Sequence, residues 1–109
     1  MRPVNHYSPL PDSLSIGKSK IHGLGIMALL NIEKGEDLGI GWVMDDNYPD
    51  GSIRTPIGGF INHSDSPNCE SVAEGKYLHV ISIKKIKKGE ELTVSYRGWY
   101  NDEVLDTYK

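Results

Sequence analysis

Cysteine is almost absent: Cys69 stands alone among 109 residues. One thiol excludes an intramolecular disulfide and any cysteine-built metal cluster. Long apolar runs are missing too. None approaches the roughly 20 residues a helix needs to cross a bilayer, and no basic, apolar, small-residue leader opens the chain, so the expectation is a soluble intracellular protein. Excess positive charge is also lacking. A net charge of -3 argues against general nucleic-acid binding, which wants a basic face. The one basic run, Lys84-Lys85-Ile86-Lys87-Lys88, reads as a solvated edge leading into a turn; a small anchor for an acidic surface is its other reading.

Helical periodicity is scarce, and only Asp102 to Asp106 looks helical, for a turn or so. Twelve glycines and six prolines instead favour a turn-rich, mainly β protein. The length fits one domain that buries somewhat over ~60% of its unfolded surface.

Residues 1–12 carry three prolines and no periodicity, and read as an extended arm. Leu14-Ser15-Ile16 begins a strand that stops at Gly17, and Ile26 to Leu30 makes another after a Gly23-Leu24-Gly25 turn. Leu38 to Met44 is a third, weakened by its glycines, and Asp45 to Gly51 is a loop by composition. Glu70 to Ala73 and Lys76 to Ile83 read as a hairpin around Glu74-Gly75, with Tyr77, His79 and Ile81 on one face and Leu78, Val80 and Ser82 on the other. Leu92 to Tyr96 is a strand of β-branched and aromatic residues. One repeat stands out: Ile32-Glu33-Lys34-Gly35-Glu36-Asp37-Leu38 and Ile86-Lys87-Lys88-Gly89-Glu90-Glu91-Leu92 share Ile-x-Lys-Gly-Glu-x-Leu. Each copy reads as a tight turn, with glycine supplying positive φ, that feeds a strand. Two such units suit a small β fold of related halves.

Three strings carry candidate chemistry. His22-Gly23-Leu24-Gly25 lets backbone approach a ligand; it lacks the third glycine and following helix of a dinucleotide fingerprint. In Gly59-Phe60-Ile61-Asn62-His63-Ser64-Asp65-Ser66-Pro67-Asn68-Cys69, Asn62 offers both a donor and an acceptor. By themselves Asn62 and His63 read equally as an Asx-type turn with a hydrogen-bonded core histidine. His63, Ser64 and Asp65 are too close in one turn to align as a hydrolase triad. The third string is Gly89-Glu90-Glu91-Leu92-Thr93-Val94-Ser95-Tyr96, in which Tyr96 is either a strand-ending aromatic or a site residue.

In this order and spacing the three strings resemble the SET-domain protein lysine methyltransferases, over roughly residues 14–98. The resemblance implies a fold of small sheets (β-clip-like) with a C-terminal pseudoknot, and the methyl donor S-adenosylmethionine. Its donor site would use His22, Gly23, Leu24, Gly25, Phe60, Asn62 and His63, with Tyr96 as the catalytic residue beside the transferred methyl. The lysine channel would be lined by Trp42, Tyr48, Val94, Trp99 and Tyr100. The implied acceptor is a lysine on a protein or peptide, a histone tail among the candidates, with nuclear or chromatin location only for a histone substrate. A SET-like module that binds a peptide or partner without turnover is the alternative reading.

The sequence departs from the family in having no cysteine-rich cluster, so that only residues 97–109 could take its place. The insert between Gly25 and Phe60 is short and lacks the customary helical portion. A homodimer in which one subunit completes the other's groove would compensate. No metal-ligand spacing occurs among the histidines.

Overall fold

The computed structural model describes residues 10–47 and 51–96. Its elements follow in the order β1 (Leu14–Lys18), β2 (Leu24–Ala28), β3 (Asp37–Met44), β4 (Ser52–Arg54), α1 (Pro56–Phe60), β5 (Asn62–His63), β6 (Cys69–Glu74), β7 (Tyr77–Ser82) and β8 (Glu91–Val94). They form two four-stranded sheets, ordered β1-β2-β8-β5 and β4-β3-β7-β6.

The sequence repeat is built into this architecture. Ile32 and Ile86 exchange both backbone hydrogen bonds at 2.8 Å. Gly35 N–H donates to Ser82 O at 2.8 Å, and Gly89 N–H to Ala28 O at 2.7 Å. The Glu36 and Glu90 carboxylates accept the amides of Glu33 and Lys87, each at 2.6 Å. A constant step of 54 residues relates each member of one turn to its counterpart in the other. The same step converts the β2–β8 pair Met27↔Glu91 into the β7–β3 pair Ile81↔Asp37. Gly35 and Gly89 adopt φ of 88° and 90°, a region that L side chains enter only with strain. The two halves are therefore interlocked: each turn leads into a strand that pairs with the other half's hairpin.

Ile32 and Ile86, 0% and 1% exposed, sit at the seam, surrounded by Ile26, Ile61, Val80 and Leu92 in one core. Each such side chain contributes about 1.5–3 kcal/mol through removal from water.

β8 is held between β2, antiparallel, and β5, parallel. Beyond β5 the chain arcs round this strand. Ser64 N–H donates to Val94 O at 2.9 Å, and the Asn68 side chain then acts as a surrogate strand. Its Nδ2 donates to Glu91 O and its Oδ1 accepts from Thr93 N–H, both at 2.8 Å. One amide side chain thus satisfies a backbone acceptor and a backbone donor two residues apart, as a paired strand would. This enclosure of β8 is the pseudoknot that the resemblance implied.

Several local expectations are corrected. β1 continues through Gly17 to Lys18 because its pairing with β2 extends to Gly17↔Gly25 and Lys18↔Leu24. β2 begins at Leu24 and ends at Ala28, with Leu29 and Leu30 exposed. The hairpin turn is Gly75-Lys76, since Glu74 pairs with Tyr77; of the two faces, that of Leu78, Val80 and Ser82 is the more buried one. β8 ends at Val94, before Ser95 and Tyr96. β4, which follows the expected loop, pairs with the end of β3.

The insert before Phe60 is not without helix. In α1, Thr55 caps the helix by accepting from Gly58 N–H, and Pro56 occupies the first turn, a sequence signal that was available. α1 packs so closely on β3 that a Cβ on Gly58 would lie 2.0 Å from Gly41 O. The helix expected at Asp102–Asp106 lies outside the described residues, as does most of the N-terminal arm.

Asn68→Ala leaves two β8 backbone groups without their partner, and a loss of about 2–4 kcal/mol is expected, read by urea denaturation. A loss below about 0.5 kcal/mol would remove the surrogate-strand role. Burial pushes the Cys69 thiol up from 9.0 to about 12, because desolvation disfavours the thiolate. Below 9.0 both the folded and unfolded chains keep the proton, so this group adds no slope; from there to about 12 only the unfolded chain ionises, and stability falls as pH rises. Iodoacetamide at neutral pH is expected to label Cys69 only after denaturant is added; native labelling at the unfolded rate would contradict this.

Candidate active site

The β1–β2 turn, the end of α1 and the chain leaving β8 converge on an open pocket of about 430 Å³. Ile21, Leu24 and Phe60 form an apolar rim, 52%, 51% and 37% exposed. Trp42 closes the wall at 5% exposure. Polar groups come from His22, Arg54, Asn62, His63 and Tyr96.

Asn62 gathers the turn. Its Nδ2 lies 2.8 Å from Glu91 Oε2, 3.1 Å from His22 O, 3.1 Å from Leu24 O and 3.0 Å from Ser19 Oγ. Ser19 Oγ donates to the Glu91 carboxylate, at 2.8 and 2.9 Å from its two oxygens. The same oxygen accepts the amides of Ile21 and His22 at 2.8 and 3.2 Å. β8, through Glu91, therefore sets the shape of the loop that forms one pocket wall.

His63 anchors Tyr96. Its Nδ1 accepts from Tyr96 N–H at 2.9 Å, which places the ring proton on Nε2, 3.0 Å from Asp65 Oδ1. The two rings lie 5.4 Å apart at 40°. The Tyr96 hydroxyl donates to Ile61 O. Backbone, ring and hydroxyl together fix this tyrosine at the pocket, while Ser64 Oγ accepts from Ser66 N–H and stands apart from the His63–Asp65 pair.

Of the residues expected from sequence, His22, Gly23, Leu24, Trp42, Phe60, Asn62, His63 and Tyr96 line this one pocket. Gly25 stands behind it: a Cβ there would lie 2.3 Å from Glu91 Oε2 and 3.1 Å from Asn62 Nδ2. Val94 is 1% exposed and belongs to the core. Tyr48, Trp99 and Tyr100 lie outside the described residues. Sequence reasoning missed Ile21, Arg54, Gly58, Gly59 and Ile61 around the pocket, and Ser19 and Glu91 behind it. The available signal for Glu91 was Gly25, the glycine whose missing side chain leaves room for a carboxylate. Among the described residues no group of three His, Cys, Asp or Glu could hold a metal ion, and no helix is long and apolar enough to cross a membrane.

Comparison with known proteins bears on the fold and the family. The sequence profile of the SET domain matches residues 40–97. Histone-lysine N-methyltransferase trithorax of Drosophila virilis is 31% identical over 125 residues, covering 86% of this chain and 3% of that protein. Human histone-lysine N-methyltransferase 2B is 28% identical over 117 residues, covering 79% of this chain and 4% of its own length. The chain thus spans a small part of these curated relatives. The methyltransferase domain of human PR domain-containing protein 2 superposes with a TM-score of 0.64 at 21% identity, covering 84% of this chain and 79% of that domain. The interlocked β halves, the enclosed β8 and the profile match together place the chain in the SET-domain family.

Proposed function

We propose that this chain transfers a methyl group from S-adenosylmethionine to the ε-amine of a lysine on a protein or peptide. The observation that carries the reading is that the His22–Leu24 turn, Asn62, His63 and Tyr96 share one pocket. Its size suits a nucleoside-sized ligand, and an apolar rim with few directed polar groups is the usual composition of such a site. When bound, the donor supplies an electrophilic methyl on a sulfonium.

The chain's residues would do the rest. Asn62 would hold the donor's amino-acid end, and the backbone of Gly23 and Leu24 would lie against it. A lysine amine, with an ordinary pKa of about 10.4, must arrive neutral to be a nucleophile. The buried Trp42 on the pocket wall would favour proton loss by desolvation, and like-charge repulsion from the sulfonium would act in the same direction. The Tyr96 hydroxyl, donating to Ile61 O, keeps its lone pairs as acceptors. They would orient the amine and hold the polarised methyl through weak C–H···O contacts. Alignment of this kind supplies up to about 7–11 kcal/mol of barrier reduction.

The relatives' names point to histone lysines as the acceptor class, and a nuclear location would follow from that substrate. A second copy of the chain would complete the substrate groove where the insert is short.

Calorimetric titration of the wild type with S-adenosylmethionine is expected to give micromolar binding, weakened at least about tenfold in Asn62→Ala, a loss of about 1.4 kcal/mol. A folded wild-type protein without donor binding would sink the reading. Tyr96→Phe is expected to keep donor affinity and lower turnover by about a hundredfold, the scale of a misplaced reacting group. Unchanged lysine-peptide binding and no turnover in the wild type itself would favour a non-catalytic binding module.

A further inference from the structure

We propose that Glu91 and Ser19 are positioning residues that fix the Asn62 amide one way round, making the pocket select ligands that carry a protonated amine. The inference rests on the methyl-donor reading and names what decides specificity at one end of that site.

Neither residue lines the pocket; both act through Asn62. The Asn62 Nδ2 faces Glu91 Oε2 and the carbonyls of His22 and Leu24 at 2.8–3.1 Å. All three are acceptors with no proton to give. Turning the amide over would set its oxygen against three oxygens, so Oδ1 is the half offered to a ligand. An oxygen there matches an ammonium donor and repels a carboxylate.

Ser19 fixes the sense of this arrangement. Its oxygen accepts the amides of Ile21 and His22 and lies 3.0 Å from the donating Asn62 Nδ2, so its single proton goes to Glu91. Glu91 thus receives a proton from Ser19 and one from Asn62, both within reach of Oε2 at 2.9 and 2.8 Å. A glutamine could accept both through one oxygen, but its N–H would then face Ser19 Oγ and the negative charge would be gone. Space is reserved for the carboxylate, since even one methyl on Gly25 would overlap Glu91 Oε2. Its negative charge behind Asn62 favours a cation in front of it.

The test compares two ligands by calorimetry: S-adenosylhomocysteine, which has the amino-acid end, and 5′-methylthioadenosine, which lacks it. In Glu91→Gln, S-adenosylhomocysteine is expected to bind about tenfold more weakly, with 5′-methylthioadenosine unchanged within about twofold. Ser19→Ala leaves the carboxylate in place and is expected to give the same split in smaller measure, which keeps the test decisive if Glu91→Gln does not fold. Equal weakening of both ligands, or no change in either, would overturn the positioning role while leaving the methyl-donor reading intact. Wild-type protein that binds neither nucleoside would overturn both together.

Discussion

The enclosure of β8 is the constraint on which the molecule depends. Leu92 and Val94, 0% and 1% exposed, enter the core from this strand. Its edges are satisfied by β2 on one side and by β5 with the Asn68 amide on the other. Without β8, β2 and β5 would each lose a partner, and unpaired buried backbone groups are costly.

The same strand organises the site. Side chains alternate along it, so while Leu92 and Val94 pack inward, Glu91 reaches the base of Asn62 and the turn at Ser19. Just past its end, Tyr96 is caught by His63 from β5. Stability and site geometry therefore share residues. Asn68 and Asn62, six positions apart, do related jobs with the same amide: one completes a strand, the other shapes a pocket wall.

Much of this was legible in the sequence. The Lys-Gly-Glu turns announced both the halves and their glycine conformations, and the alternation in Tyr77–Ser82 separated the two faces of that strand, of which the structure buries Val80 and Ser82. The Asn62-His63 and Tyr96 strings led to residues that do meet at one pocket. What local pattern could not supply was the exchange of strands between halves, because the Ile26↔Leu92 pairing spans the whole domain. α1 was missed although Thr55-Pro56 marks its start, since a helix of five residues has no periodicity to detect. What the string around Gly25 could not show is its neighbour: a Cβ there would lie 2.3 Å from a carboxylate oxygen of Glu91, contributed from far along the chain.

The exchange of strands also bears on how the molecule comes into being. Each hairpin, β1–β2 and β6–β7, can close locally, but neither half can finish alone, because each must receive a strand from the other. Closing contacts this distant in sequence carries a large loop-entropy barrier and slows folding. Until β8 arrives, the β2 edge has no partner on that side. Because Glu91 shapes one pocket wall and Tyr96 follows directly after β8, the pocket cannot take its form before this strand is paired.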